Sequence, residues 1–599
     1  MATTWLSPHT SLRMPPGSIM GVAKLVSQVV PEGRPDGGRP IVVAGPRNYL
    51  KVAWRDCVQR SAVDPAHDVW PPDVLAVAWH EGKQAAGALP LERTDAFMLG
   101  KFSAIAAACG NGVGLLLALA PIGWWAEAAP VADRPNVLFI AVDDLRNDLG
   151  CYGDDQVKSP HLDALAKRSR LFTRAYCQQA VCNPSRASLL TGLRPDHLRI
   201  WDLPTHLRST TPTAVTLPQH FKNHGYFTQN IGKIFHNWRQ KLHGDPDSWS
   251  VPAVMHYASH RADEPQVAEP IPLSLASDPR CECRDVEDDA YFDGRVAGLA
   301  IEALRERQQA GTPFFLAVGF WKPHAPFNAP KKYWDLYRRE DIQPPSPEAW
   351  PKDAPTIAWH DSREILGEPP RPLSPEAILE MRHGYLANIS YMDAQVGRVL
   401  KALDDLDLTR NTLVVFWSDH GYHLGEQTLW AKTSNFELDA RVPLMIALPG
   451  SPQPGTATTA LVELLDLYPT LSELCQLPIP AGLDGLSLVP VLEDPNRQVR
   501  SFAMTQHPRP AYYSRAETSV PEVMGYSIRT PEWRYTEWRD WKSGKTIAGE
   551  LYDHRQEPHE TQNFFDHADY RDAQTACQQL LQSAQPLVQP GWPGLVARP

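Results

Sequence analysis

The chain has 599 residues, 57 of them proline, with 21% charged residues and a formal net charge of −11. That length predicts one large domain with a smaller companion. The negative balance and the lack of a long basic run exclude broad electrostatic capture of nucleic acid, so a polyanionic ligand would need a locally basic pocket.

Residues 1–97 are rich in Pro, Gly and Arg without sustained periodicity. Residues 98–128 then read as a secretory signal peptide: Lys101 near the start, the apolar run Val113-Gly114-Leu115-Leu116-Leu117-Ala118-Leu119-Ala120, and the small-residue ending Ala126-Glu127-Ala128. An uncleaved membrane anchor is the alternative, because residues 102–126 are long enough to span a bilayer. A signal in this position makes residues 1–97 a leader upstream of the start codon in use. Past Cys57 and Cys109, and with Cys182 set apart, six cysteines remain: Cys151, Cys177, Cys281, Cys283, Cys475 and Cys577. An even number in an exported chain permits disulfides without fixing them. The Cys281-x-Cys283 pair has no second Cys/His pair nearby, which argues against zinc.

Asn136-Val137-Leu138-Phe139-Ile140-Ala141-Val142 is a continuous apolar run, the pattern of a strand covered on both faces, and it ends in Asp143-Asp144. In open α/β sheets the carboxyl edge is where sites form. Ser159-Pro160 opens a short helix. Residues 185–190 read as the first turns of another, which places Cys182 just before a helix N-terminus with Arg186 close by. A strand over 226–231 leads into Gly232-Lys233-Ile234-Phe235-His236. Another apolar strand over 313–320 leads into Trp321-Lys322-Pro323-His324-Ala325-Pro326, where two prolines restrict the loop that carries His324. Residues 340–375 are rich in Pro, Glu and Asp and read as a long surface insertion.

Met392, Val396, Val399, Leu400 and Leu403 recur at helical spacing and mark one core face. The formal glycosylation sequon Asn388-Ile389-Ser390 falls on that helix and is discounted. Thr412-Leu413-Val414-Val415-Phe416-Trp417 is a second fully apolar strand, ending in Ser418-Asp419-His420-Gly421. Two buried strands thus deliver carboxylates to one edge, and Asp143, Asp144 and Asp419 with His420 suit a hard cation such as calcium, with magnesium second. Lys432 lies in Trp430-Ala431-Lys432-Thr433-Ser434-Asn435-Phe436. A strand over 442–448 and a helix over 461–475 would close a large domain spanning 134–495. The remainder, 496–599, changes to alternating patterns, with 524–530 and 533–538 predicted as the two strands of a hairpin.

Cys182-Asn183-Pro184-Ser185-Arg186, followed by Leu190-Thr191-Gly192, resembles the signature of the type I sulfatases. The strings Gly-Lys-Ile-Phe-His, Lys-Pro-His-Ala-Pro-Phe, Trp-Ala-Lys-Thr-Ser-Asn-Phe and Met-Gly-Tyr-Ser-Ile-Arg-Thr are most similar to the iduronate-2-sulfatase branch. The resemblance runs from about 135 to 563. It implies an α/β fold: an alkaline-phosphatase-like large domain with a mostly parallel sheet flanked by helices, and a C-terminal α+β subdomain with an antiparallel sheet. It also implies that a maturase oxidises Cys182 to formylglycine, and that Asp143, Asp144, Asp419, His420 and the oxygen at position 182 hold the cation. Arg186 is implied to assist the nucleophile, Lys233, His324 and Lys432 to bind sulfate, His324 to protonate the leaving alcohol, and His236 to act as base. The implied substrate is a sulfated oligo- or polysaccharide in an exported compartment. A phosphodiesterase or phosphonate hydrolase of the same superfamily, and a catalytically silent glycan-binding homologue, are the alternatives.

Overall fold

The computed structural model describes residues 134–256, 265–268, 270–451, 453–511 and 520–584, together with three short strands near the start of the chain. Those strands, Leu12–Arg13, Pro40–Gly45 and Tyr49–Trp54, pair antiparallel in a unit of their own. The signal-like stretch 98–128 lies outside the described residues.

The large sheet is built from β1 (Asn136–Asp143), β2 (Arg170–Tyr176), β3 (Phe227–Gly232), β4 (Phe314–Pro323), β5 (Thr412–Ser418), β6 (Arg441–Ala447), β7 (Ala457–Thr458) and β8 (Val462–Glu463). Its order is β7-β2-β6-β5-β1-β4-β3, with β8 also beside β2. The pairs β5–β1, β1–β4 and β4–β3 are parallel; β6 alone runs against both of its neighbours. As a result β1 to β5 all end at one edge of the sheet.

Alternation along β1 explains why this strand is apolar from Val137 to Val142. Leu138, Ile140 and Val142 enter one core with α2 (Phe292–Ala310) and α3 (Pro375–Asp405). Val137, Phe139 and Ala141 enter another with α1 (Cys182–Thr191) and α4 (Leu467–Leu474). Period-two side chains meet helices on both faces, so neither face is polar. Met392, Val396, Val399, Leu400 and Leu403 all lie in the first core. Asn388 is buried within α3 and donates to Gly384 O at 2.6 Å.

Four strands form an antiparallel sheet in sequence order: β9 (Ala503–Arg509), β10 (Val523–Arg529), β11 (Trp533–Asp540) and β12 (Thr546–Asp553). α5 (Arg571–Ser583) packs on it through Cys577 and Leu581. The seven cysteines from Cys151 onward are free thiols.

Three local expectations are corrected. The helix starts at Cys182 itself, because Pro184 fits in a first turn whose N–H groups have no intrahelical partner. Residues 461–475 are not one helix: β8 and a 3-10 turn at Leu464–Asp466 precede α4, and Leu474 is only half-buried. Arg194 and Arg500 pair with Glu463 and fix the bend. Residues 340–375 are not a purely surface insertion either. His360, Ser362 and Ile365 are buried, and Glu364 of the short helix Arg363–Leu366 reaches Lys432 Nζ at 2.7 Å.

Candidate active site

Five parallel strand ends bring the charged residues together, and each approach has a local cause. β3 can end against β4 only because of two glycines: a Cβ on Gly232 would lie 2.0 Å from Gly319 O, and one on Gly319 would lie 1.9 Å from Lys233 O. Gly232 also has φ +82°, a conformation that costs glycine little. Lys233 N donates to Gly319 O at 2.9 Å, and the Lys233 side chain then ion-pairs with Asp143 at the end of β1.

Asp144 holds a left-handed backbone, φ +61°. Its N–H donates to Asp419 Oδ1 at 3.2 Å, and its carbonyl accepts from Tyr385 Oη of α3 at 2.7 Å. Two strand ends and one helix thus fix a conformation that an L-residue seldom adopts alone.

Arg186, one turn into α1, is fully buried. It donates through Nε to Asp419 Oδ2 at 2.8 Å and through Nη2 to Asp143 Oδ1 at 3.1 Å, and through Nη1 to the carbonyls of Lys233 and Ile234. One guanidinium therefore ties α1 to β1, β3 and β5. Ser185 Oγ adds a bond to Asp419 O at 2.5 Å. Cys182 Sγ sits 3.5 Å from Asp143 Oδ1 and 3.3 Å from His420 Nε2.

Opposite, Lys432 Nζ lies 3.0 Å from Asp144 Oδ2, 2.7 Å from Glu364 Oε1 and 3.3 Å from His324 Nε2. His324 Nδ1 contacts Ala325 O at 2.6 Å, which turns Nε2 toward Lys432 and Asp144. His236 is buried on the loop that follows Lys233.

Burial alone raises the Asp143 carboxyl, but Lys233 and Arg186 outweigh it and hold the group well below the usual carboxylate range. Asp144 goes the other way. Burial pushes it well above that range; Lys432 opposes the rise, and the Asp143, Glu364 and Asp419 carboxylates add to it. Burial, reinforced by Asp143, likewise raises the Cys182 thiol. Lys432 meets only Oδ2 of Asp144, and Asp144 Oδ1 is buried without a hydrogen-bond partner.

A divalent cation fits beside that oxygen. Asp143, Cys182, Asp419 and His420 offer ligand atoms within 4.8 Å of one another, and so do Asp143, Asp144, Cys182 and His324. Oxygen-rich donors with one imidazole suit a hard ion.

The sequence reading missed several residues that shape this site. Glu364 carries no local signal, since one acidic residue in a proline-rich insertion looks like surface. Tyr385 lies on a helix face read only as core. Arg509 of β9 is buried and donates to Ile357 O, Ala358 O and Thr433 O at 2.9, 2.7 and 3.1 Å. It joins the Glu364 loop to the Lys432 loop, and burial lowers its pKa to about 10.

The sulfatase profile matches residues 135–477, and a profile described as N-sulphoglucosamine sulphohydrolase, C-terminal, matches 425–586. The chain is 37% identical over 520 residues to iduronate 2-sulfatase of Mus musculus, covering 75% of this chain and 93% of that one. With the Homo sapiens iduronate 2-sulfatase it shares 36% over 524 residues, covering 76% and 94%. Among solved structures, a phosphonate monoester hydrolase from Silicibacter pomeroyi has TM-score 0.62 at 24% identity, over 76% of this chain and 96% of that one, a likeness of fold. With the profile matching more than half of the chain, and relatives above 30% identity over three quarters of it, the chain belongs to the sulfatase family and is a sulfuric ester hydrolase.

Proposed function

We propose that the protein removes a sulfate ester from a uronate-containing sulfated glycan, as the name of its iduronate 2-sulfatase relatives suggests, with a formylglycine made from Cys182 and a divalent cation, calcium first. The observation that carries this reading is the meeting of Cys182, three carboxylates and His420 with two lysines and His324 at one sheet edge. When present, the cation and the hydrated aldehyde supply Lewis acidity and an oxygen nucleophile in place of the thiol.

The chain's own residues do the rest. Arg186 neutralises Asp143 and Asp419, so the carboxylates can face one ion without repelling one another. Lys233, paired with Asp143, and Lys432, paired with Asp144, are placed to hold the equatorial oxygens of a sulfate and spread the charge of the transferring group. His324, with Nδ1–H donating to Ala325 O, presents Nε2 to the departing alcohol, and in its imidazolium form it delivers the Nε2 proton there. His236, buried beyond Lys233, is assigned the proton abstraction that releases sulfate from the enzyme. A maturase and an exported compartment follow from the same reading.

The test is sulfate release by the natively matured full chain from defined sulfated uronate and hexosamine oligosaccharides, with matched phosphate esters alongside. Preferred cleavage of uronate 2-sulfate, and an aldehyde-bearing peptide at position 182 by mass spectrometry, are the expected results. Faster phosphate than sulfate release, or an intact thiol in active enzyme, would overturn the reading.

A further inference from the structure

Beyond Lys233 and His236 the chain makes a tight excursion that none of the roles above uses. Asn237 and Gln240 are buried, while the two residues between them, Trp238 and Arg239, are exposed. The ends of this turn are pinned. Asn237 Oδ1 accepts from Gly244 N at 2.5 Å, its amide donates to His256 O, and Gln240 N donates to Asn237 O at 3.1 Å. Gln240 Nε2 reaches Asn183 Oδ1 and Leu203 O, each at 3.1 Å. Asn183 is the residue next to Cys182, so the turn is bolted to the start of α1.

What the turn presents is unusual for a surface. Trp238 is 36% exposed, and the Arg239 guanidinium carbon lies 4.3 Å from its ring centroid. Among the described residues the contact shown for the Arg239 guanidinium is this ring and not a carboxylate, although the chain as a whole carries a net charge of −11. Arg239 also has φ +62°, a conformation costing a non-glycine residue about 1 kcal/mol or more, and the flanking amide bonds maintain it. The pinned turn thus holds an indole and a cation together two residues beyond His236, tied through Gln240 to the neighbour of Cys182. An indole face packs on the C–H face of a pyranose, and a guanidinium donates in parallel to a carboxylate or sulfate.

We infer that Trp238 and Arg239 form a second sugar subsite, which binds an acidic pyranose adjoining the sugar that loses its sulfate. This rests on the function proposed above. The recognised chemistry is an anionic group on a ring, and the anion can be a uronate carboxylate or a ring sulfate.

The experiment compares wild type with Trp238→Ala, Arg239→Ala and the double variant, all natively matured. The substrates are a small aryl sulfate and matched oligosaccharides whose neighbouring sugar carries a carboxylate, a sulfate or neither. The expected result is a rise in KM of about tenfold on the acidic oligosaccharides in the double variant, with kcat within twofold. Aryl sulfate kinetics should not change, and wild type should show no gain from the uncharged neighbour. The carboxylate and sulfate arms identify which anion Arg239 takes. Equal KM values for wild type and double variant on every oligosaccharide, or an equal loss on aryl sulfate, would overturn the subsite. Calorimetric binding of the desulfated acidic oligosaccharides gives a second readout. If wild type hydrolyses no sulfate ester the proposed function fails, whereas binding that weakens about tenfold in the double variant still upholds the subsite, and unchanged binding rejects it.

Discussion

Two regions of this molecule bury several charges each, and they do so to opposite ends. At the sheet edge, Asp143, Asp144 and Asp419 converge on Cys182, and Asp144 keeps a buried oxygen with no donor. Where the C-terminal sheet meets the large domain, Glu437 takes Arg529 and Arg534, and Glu560 takes Arg534 and His554. Glu437, His554 and Glu560 also lie close enough together for a metal ion, but the Arg534 guanidinium already supplies the cation there. Both carboxyls are held below their usual range, against burial that would raise them, chiefly by arginine. A buried cluster that neutralises itself joins two parts of a fold. One left with a surplus carboxylate is ready for a cation and chemistry.

The sharpest way to break this contrast is to remove the central arginine from each cluster. Arg186→Met leaves Asp143 and Asp419 buried without their shared partner, so stability should fall by about 3–5 kcal/mol and activity by about 1000-fold or more. Arg534→Met should cost a similar 3–5 kcal/mol by urea unfolding, yet leave kcat within about twofold below the new melting temperature. Activity surviving the first change, or vanishing with the second while the protein is still folded, would show that the two clusters are not different in kind.

A smaller effect sharpens the comparison within the C-terminal region. Glu550, buried beside Glu560, accepts from Trp538 Nε1 and Tyr552 Oη at 2.7 Å each, and burial pushes its carboxyl up to about 7. With an unfolded value near about 4.3, its contribution is complete below that pH and is lost as pH rises through about 7. Glu437 and Glu560 have the opposite sign, and their contribution is lost on acidification. Unfolding curves at pH 5 and 7.5 should therefore show Glu550→Gln flattening the decline in stability over that interval by about 1–3 kcal/mol. An unchanged slope would mean that Glu550 is ionised in the folded protein. Smallest is Glu364→Gln, which keeps an acceptor for Lys432 and removes the charge: kcat/KM on a sulfate ester should fall about tenfold, with little change in unfolding midpoint. No change in kcat/KM would make Glu364 a bystander.

Much of the site was legible because its parts are local. A strand buried on both faces must be apolar throughout, so the change at Asp143-Asp144 and at Ser418-Asp419-His420 marks where each strand leaves the sheet. The closeness of Cys182 and Arg186 was legible too, although the sequence reading left Cys182 just before the helix and the structure puts both residues one turn apart within α1. The hairpin at β10 and β11 followed from alternation, with Ser527 opposite Thr536 and Ile528 opposite Tyr535.

The sequence by itself determined the buried strands, the order of the charged motifs along them and the resemblance they carry, because those features repeat at the period of one element or lie within one turn. Only the tertiary structure decided that Glu364 leaves a proline-rich insertion to meet Lys432, 68 residues away, that Tyr385 fixes Asp144 across 241, and that Arg509 reaches from the C-terminal sheet to Thr433. It alone also decided that Gln240 anchors the Trp238–Arg239 turn on Asn183. Contacts of this kind join single polar residues on separate elements. No periodicity records them, and the energy of satisfying a buried polar group appears only when its partner arrives.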